Sequence, residues 1–192
     1  MKNGLFKCIE RSIMIREGSV AIEFAILVLP YFLVVFAILE ICICFSAEQL
    51  FENAAYSISR QIRTGELNTK NTKMEQLRKN FCHEIRFLIF CSDEELRVPY
   101  DFYIDVKQIK SLKDIPVTIP RKGSNYDDEI DGNGFSFQPG GAGTYNYLRA
   151  FYHWPILTNL MVKYMSTVKH AGKRGDYLMV STVVFKNEPF DS

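Results

Sequence analysis

The sequence predicts an α+β protein. A long N-terminal transmembrane helix extends into a small exported domain that holds a second helix and a three-stranded, mainly antiparallel sheet. Three observations predict this. Phe24 to Phe45 is apolar apart from Glu40. Apolar residues at helical spacing continue beyond that run. Three segments in the second half alternate and are rich in aromatic and β-branched residues. The chain is expected to divide into residues 1–18, a membrane helix over 19–45 and an α+β domain over 46–192.

The apolar run has about 20 residues, the length at which a helix crosses a bilayer. A buried helix of a soluble domain seldom needs so long a run. A cleaved secretory signal has a shorter apolar region that ends at a small-residue cleavage site. Here the run passes directly into "SAEQLFENAAYSISRQIRTGEL". The span is therefore expected to be retained, with membrane lipid around it. Lys2, Lys7, Arg11 and Arg16 precede it, interspersed with Glu10 and Glu17. Orientation follows Lys and Arg rather than net charge, so the N-terminus is expected in the cytoplasm and the chain from Ser46 across the membrane.

Glu23 stands near the start of this span. At the bilayer centre a carboxylate costs about 2.5–3.5 kcal/mol on insertion scales, and less near an interface. Two readings explain it: an interfacial residue that reaches water, or a charge whose partner arrives with processing or assembly. Pro30 falls inside the span, where it removes a backbone donor and is expected to kink the helix. Glu40 lies roughly 26 Å further along a helix from Glu23, near the opposite interface, where a charge needs no special role.

Beyond the membrane, Leu50, Ala54, Ala55, Ile58 and Ile62 keep the helical spacing, and Gly65 is the expected stop. Thr72 with Glu75 reads as a capping box for a second helix. Its apolar face would comprise Met74, Leu77, Phe81, Ile85 and Leu88. Of the five cysteines, Cys8 precedes the span, and Cys42 and Cys44 lie in it as reduced apolar packers. Cys82 and Cys91 lie in the exported part, where a disulfide is the default. Their spacing suits no zinc site, and His83 beside Cys82 lacks a second Cys/His pair.

Strands are expected at Tyr100–Ile109, Thr144–Trp154 and Tyr177–Lys186. Between the last two, Leu157, Leu160, Met161, Tyr164, Met165 and Val168 give Ile156–Val168 a helical stripe, read as core. "RKGSNYDDEIDGNGFSFQPGGAG" reads as loop. Within it Asp127, Glu129 and Asp131 imitate the start of a calcium loop, but Gln138 stands where the bidentate glutamate belongs. A solvated acidic turn is the simpler reading.

Lys and Arg total 23 against 22 Asp and Glu, a formal charge of +1. That balance lacks the basic footprint of a nucleic-acid binder, so no nucleic-acid partner is expected. His83, His153 and His170 are the only histidines. No nucleophile elbow, phosphate loop or metal motif accompanies them, so neither catalysis nor a cofactor is expected. His153 reads as a packed strand residue beside Trp154. A membrane-anchored adaptor or sensor would also fit the span, without needing Glu23 at its place.

Gly18 followed by "SVAIEF" resembles the processing site of type IV pilins and pseudopilins, a glycine, a cut and a glutamate at the fifth mature position. The resemblance implies cleavage between Gly18 and Ser19, and assembly roles for Glu23 and Phe24. The new amine of Ser19 would neutralise the Glu23 carboxylate of a neighbouring subunit. More broadly, "EGSVAIEFAILVLPYFLVVFAILEICICF", "FENAAYSISRQIRTGEL", the paired cysteines before "YIDV", "FQPGGAG", "YHWP" and "STVVFKNEPF" resemble TadE-like pilus assembly proteins of the tight-adherence (Tad/Flp) system. That resemblance implies a minor pseudopilin or assembly factor in the bacterial inner membrane, with a periplasmic domain. Its implied partners are other Tad/Flp assembly proteins, minor pilins and a prepilin peptidase.

Overall fold

The computed structural model of the chain describes residues 16–168 and 175–189. Lys2, Lys7, Cys8, Glu10, Arg11, His170 and Phe190 lie outside the described residues. The chain divides into two compact units, Met1–Cys42 and Ile43–Ser192.

In the first unit the described residues belong to helix α1, which runs from Arg16 to Arg63. Within Val20–Arg63 its most apolar window has a mean hydropathy of 2.7, and α1 is long and apolar enough to cross a membrane. Only 6% of that window is buried. A soluble core helix hides such side chains, whereas here Phe24, Leu27, Leu29 and Phe36 all face outward.

The second unit begins with the remainder of α1. Cys44, Ala47, Phe51, Ala54, Ala55, Ile58 and Ile62 are buried there, one side of the helix at spacings of three and four. Three of these are alanines, Ala47, Ala54 and Ala55. The helix stops where expected. Gly65 adopts φ 80°, and its N–H donates to the Ile62 carbonyl at 3.1 Å. Only glycine takes that left-handed conformation without a Cβ penalty.

Helix α2 spans Met74–Ile85. Its expected capping box does not form. The N-cap is Lys73, without a side-chain cap, because the Thr72 hydroxyl donates to Asn71 Oδ1 at 2.6 Å. Glu75 instead faces Arg97 at 3.8 Å. Leu77, Phe81 and Ile85 are fully buried, as the apolar pattern required. Leu88 falls beyond the helix end and is half-buried. Cys82 and Cys91 are disulfide-bonded with Cα atoms 6.0 Å apart.

The sheet has four strands, in the order β2-β1-β3-β4. They are β1 (Phe102–Ile109), β2 (Phe137–Gln138), β3 (Tyr145–Pro155) and β4 (Asp176–Lys186). β3 pairs antiparallel with both β1 and β4. The strand absent from the sequence reading is β2, which lies parallel to β1 through Val106 and Phe137. Two residues are too few to show alternation, so nothing in that glycine-rich stretch marked a strand.

One face of the sheet packs on α1 and α2 through Phe102, Ile104, Val106, Leu148, Ala150 and Met179. Phe51, Phe81 and Phe102 meet as a ring cluster with centroids 4.9–6.2 Å apart. Each such ring contributes about 1.5–3 kcal/mol when fully buried. On the other face Phe151 and Leu178 pack with Ile130 and Val168. With both faces covered, β3 is buried from Asn146 through His153, which is why its sequence alternates poorly.

The helix expected over Ile156–Val168 is shorter. Helix α4 covers Asn159–Met165. Met161 and Val168 are buried, but Leu157 and Tyr164 are exposed, so the stripe is only partly core. Val168 is no longer helical because it forms a β-bridge with Asp176.

Helix α3, Asp93–Arg97, was not anticipated. Its Ser92 hydroxyl accepts from Glu95 N–H at 3.1 Å. The buried Glu95 carboxylate then accepts the N–H groups of Tyr100, Asp101 and Phe102 through one oxygen, at 2.7–2.8 Å. This fixes the entry of the chain into β1. Glu95→Gln keeps an oxygen acceptor but loses the charge that strengthens these bonds. It is expected to lower domain stability by about 1–2 kcal/mol in a denaturant titration.

Candidate functional site

The residues singled out in the N-terminal segment share one helix. Gly18 and Ser19 lie near the start of α1 as described, with helical backbone. Glu23 follows Ser19 by about 6 Å along the axis at 1.5 Å per residue. Its side chain is exposed, as is Phe24, at 65%. Successive residues point about 100° apart on a helix, so Glu23 and Phe24 present different faces. Pro30 follows Glu23 by seven residues, nearly two turns, and so shares its face. It stands inside the continuous helix. Lacking an N–H, it gives the Ile26 carbonyl no helical donor.

A carboxylate on an otherwise apolar helix can do little chemistry alone. It can accept hydrogen bonds and attract a cation, and both become stronger as water is excluded. Glu40, the other acid of the apolar run, is buried, at 7% exposure. Cys42 is exposed and Cys44 buried, and neither is disulfide-bonded.

Within the second unit the polar groups are mainly structural. Asp105 is buried and accepts from Ser136 N–H at 2.9 Å and from the Tyr147 hydroxyl at 2.8 Å, with the Lys107 ammonium 3.1 Å away. Burial, aided by the Asp105 bond, pushes the Tyr147 pKa upward. Arg149 stands opposite Asp105 across the strand pair, donates to the Thr118 carbonyl at 3.0 Å and lies over the Phe151 ring. Burial lowers its pKa, against the fields of Tyr147 and Asp105. These contacts sew the 118–136 segment onto the sheet. His153 is buried, with its ring 6.1 Å from Tyr103, as a packed strand histidine should be.

The acidic turn also has structural employment. Glu129 pairs with Lys122 at 2.9 Å, and Asp131 accepts from Asn133 N–H at 3.0 Å. Asp128 accepts from Asn125 N–H at 2.7 Å. A hollow of about 670 Å³ between α2 and α3 is lined by charged side chains including Lys73, Glu75, Lys79 and Arg97.

One polar contact ties α1 to the sheet inside this unit. The Tyr177 hydroxyl donates to Glu48 Oε1 at 3.1 Å. Burial first, then the Glu48 charge, push the Tyr177 pKa up from 10 to about 12. A folded-state pKa above the unfolded one means that the contribution is complete below pH 10 and is lost as pH rises toward 12. Stability is therefore expected to fall over that alkaline window. Tyr177→Phe should fall less steeply there, as read by tyrosinate absorbance alongside unfolding.

Reasoning from sequence missed α3, although "SDEE" held the signal for it: Ser92 with Glu95 three residues on is a capping pattern before a short helix, whereas the three N–H groups that Glu95 anchors reach it only on folding. It also missed the Asp105–Tyr147 pair, which only the strand register brings together.

No curated protein and no solved structure matches the chain. A family model does match, that of TadE-like protein, over residues 18–60. The match starts at Gly18, takes in Glu23, Phe24 and Pro30, and ends at Arg60, three residues before α1 does. Over residues 18–60, the stretch of α1 that carries the glutamate and the proline, the chain is similar to TadE-like protein.

Proposed function

We propose that this protein is a membrane-anchored minor pseudopilin or assembly factor for a Tad/Flp-type pilus, acting without catalysis. The observation that carries this reading is the TadE-like match over residues 18–60, centred on an apolar helix with Glu23 near its start. α1 would pass once through the bacterial inner membrane, with residues 1–18 as a cytoplasmic leader, 19–45 in lipid and 46–192 as a periplasmic domain. The Cys82–Cys91 disulfide supports an oxidising location for the second unit. Other Tad/Flp assembly proteins, minor pilins and a prepilin peptidase would be its partners.

In this reading a peptidase cuts between Gly18 and Ser19. The amine released at Ser19 then pairs with the Glu23 carboxylate of a neighbouring subunit. A charge that is costly in lipid alone becomes favourable in the assembled helix bundle. Pro30 would let the helix bend so that neighbouring subunits satisfy the Ile26 carbonyl.

The intact mass of the protein from its own membrane tests the cut. The native chain is expected to begin at Ser19 when the pilus peptidase is present and to keep its leader when it is absent. Gly18→Ala should accumulate at precursor mass in both strains. A native chain at precursor mass in both would reject processing and leave a permanently anchored assembly factor.

A further inference from the structure

The end of the second unit at which Ile43 enters carries an exposed apolar rim. α1 leaves the core at Arg63, and by Phe81 the chain has returned to Phe51, with the two rings 5.1 Å apart. Ile85 is one turn beyond Phe81, and Ile85 and Ile89 pack in the same core cluster as Cys44, Ala47 and Phe51. The disulfide to Cys82 closes this turn. Ile89 is buried in it, at 1%, yet Phe87 and Phe90 are 84% and 85% exposed.

β3 and β4 bring a second apolar element to the same end. Tyr177, bonded to Glu48, pairs with Trp154 at the end of β3. The stretch of residues 156–168 follows there, and Val168 bridges to Asp176. This stretch exposes Leu157 at 69% and Tyr164 at 72%. Lys163 lies over the Tyr164 ring at 5.9 Å, and in the other element Arg86 precedes Phe87 in sequence. Glu84, Asp93 and Glu94 are exposed nearby on α2 and α3, so the rim is of mixed charge rather than basic.

We propose that Phe87 and Phe90, with Leu157 and Tyr164, rest in the interfacial layer of the bilayer that α1 crosses, so that the domain sits on the lipid surface. The proposal depends on reading α1 as a membrane anchor. The apolar run ends at Phe45, and Glu48 is only about 4.5 Å further along the helix, so this end of the domain is held beside the headgroups. A tethered surface meets lipid at high effective concentration and needs little intrinsic affinity. Rings with a cation alongside suit the boundary between acyl chains and water, where the ring enters and the charge reaches the headgroups. The disulfide holds both phenylalanines on a short turn, which limits the ordering cost of inserting them.

The test places p-benzoylphenylalanine at single positions of the full chain, reconstituted in bilayers of phosphatidylethanolamine and phosphatidylglycerol. The positions are Phe36, in the apolar run, Phe87, Phe90 and Leu112. Leu112 is 62% exposed but follows the far end of β1. Illumination is expected to give lipid-mass adducts at Phe36, Phe87 and Phe90 and none at Leu112. Lipid adducts at Phe36 but not at Phe87 or Phe90 would overturn the proposal and leave the anchor standing. Adducts at Phe87 and Phe90 with the mass of a second protein chain would overturn it in favour of a protein interface. Equal lipid adducts at Leu112 would overturn it as non-specific contact. An absence of lipid adducts at Phe36 would reject the anchor and the proposal together.

Discussion

Glu23→Ala protein is expected to reach the membrane in normal amount and to leave cells without assembled pili. Removing a carboxylate from an apolar helix makes insertion easier, by something under ~2.5 kcal/mol because the site is near an interface. Assembly responds in the opposite direction. A charge-assisted hydrogen bond contributes about 1.5–3 kcal/mol. Its loss weakens docking of one subunit roughly tenfold to a hundredfold, since each 1.4 kcal/mol is a factor of ten. Glu23→Gln, which preserves shape, should fail like alanine, whereas Glu23→Asp should retain part of the function. Membrane fractionation and electron microscopy of the same cells read both effects. Normal pili from Glu23→Ala would reject pairing at this position, and Glu23 would then be an interfacial residue reaching water.

Much of this architecture was legible because it is written in periodicity. α1, α2 and the three long strands each carry an apolar pattern longer than a few residues; the strands formed within two residues of their expected ends, whereas α2 stops at Ile85, short of Leu88. What escaped was set by contacts distant in sequence or by elements too short to have a period. β2 exists only because Val106 accepts it as a neighbour. Thr72 was a sound cap by its own chemistry and lost to Asn71, a competitor one residue away. Tyr164 fitted the helical stripe of its segment, but in α4 its ring faces away from the core.

The site divides in the same way. Gly18, Glu23 and Pro30 could be singled out from sequence because what marks them is local: a carboxylate and a proline are conspicuous against an apolar background. The buried contacts of Glu95 and Asp105 were invisible, since many surface acids share their local surroundings. Only folding brings three N–H groups to Glu95 and the Tyr147 hydroxyl to Asp105.

Cys82→Ser is expected to insert as the native protein does and to weaken the second unit substantially. The bridge joins residues nine apart, and closing a loop of that size constrains the unfolded chain by about 2.7 kcal/mol in the chain-entropy model. For a domain of this size that corresponds to roughly a 10 °C fall in Tm. Packing adds to it, because Cys82 is 8% exposed within the core and Cys91 packs against that core. Serine would put a hydroxyl where the sulfur lay, so a Cys82→Ala/Cys91→Ala double variant separates the polar cost from the lost bridge. Both variants should resemble native protein treated with a reductant. The consequences should begin locally, at the Phe87–Phe90 turn and at α3, which follow from the bridged cysteines directly. Limited proteolysis is therefore expected to cut first between Arg86 and Arg97 in the reduced protein, before the sheet opens. Identical protease resistance in the reduced and oxidised forms would mean that the packing of Ile85 and Ile89 holds this turn without the bridge.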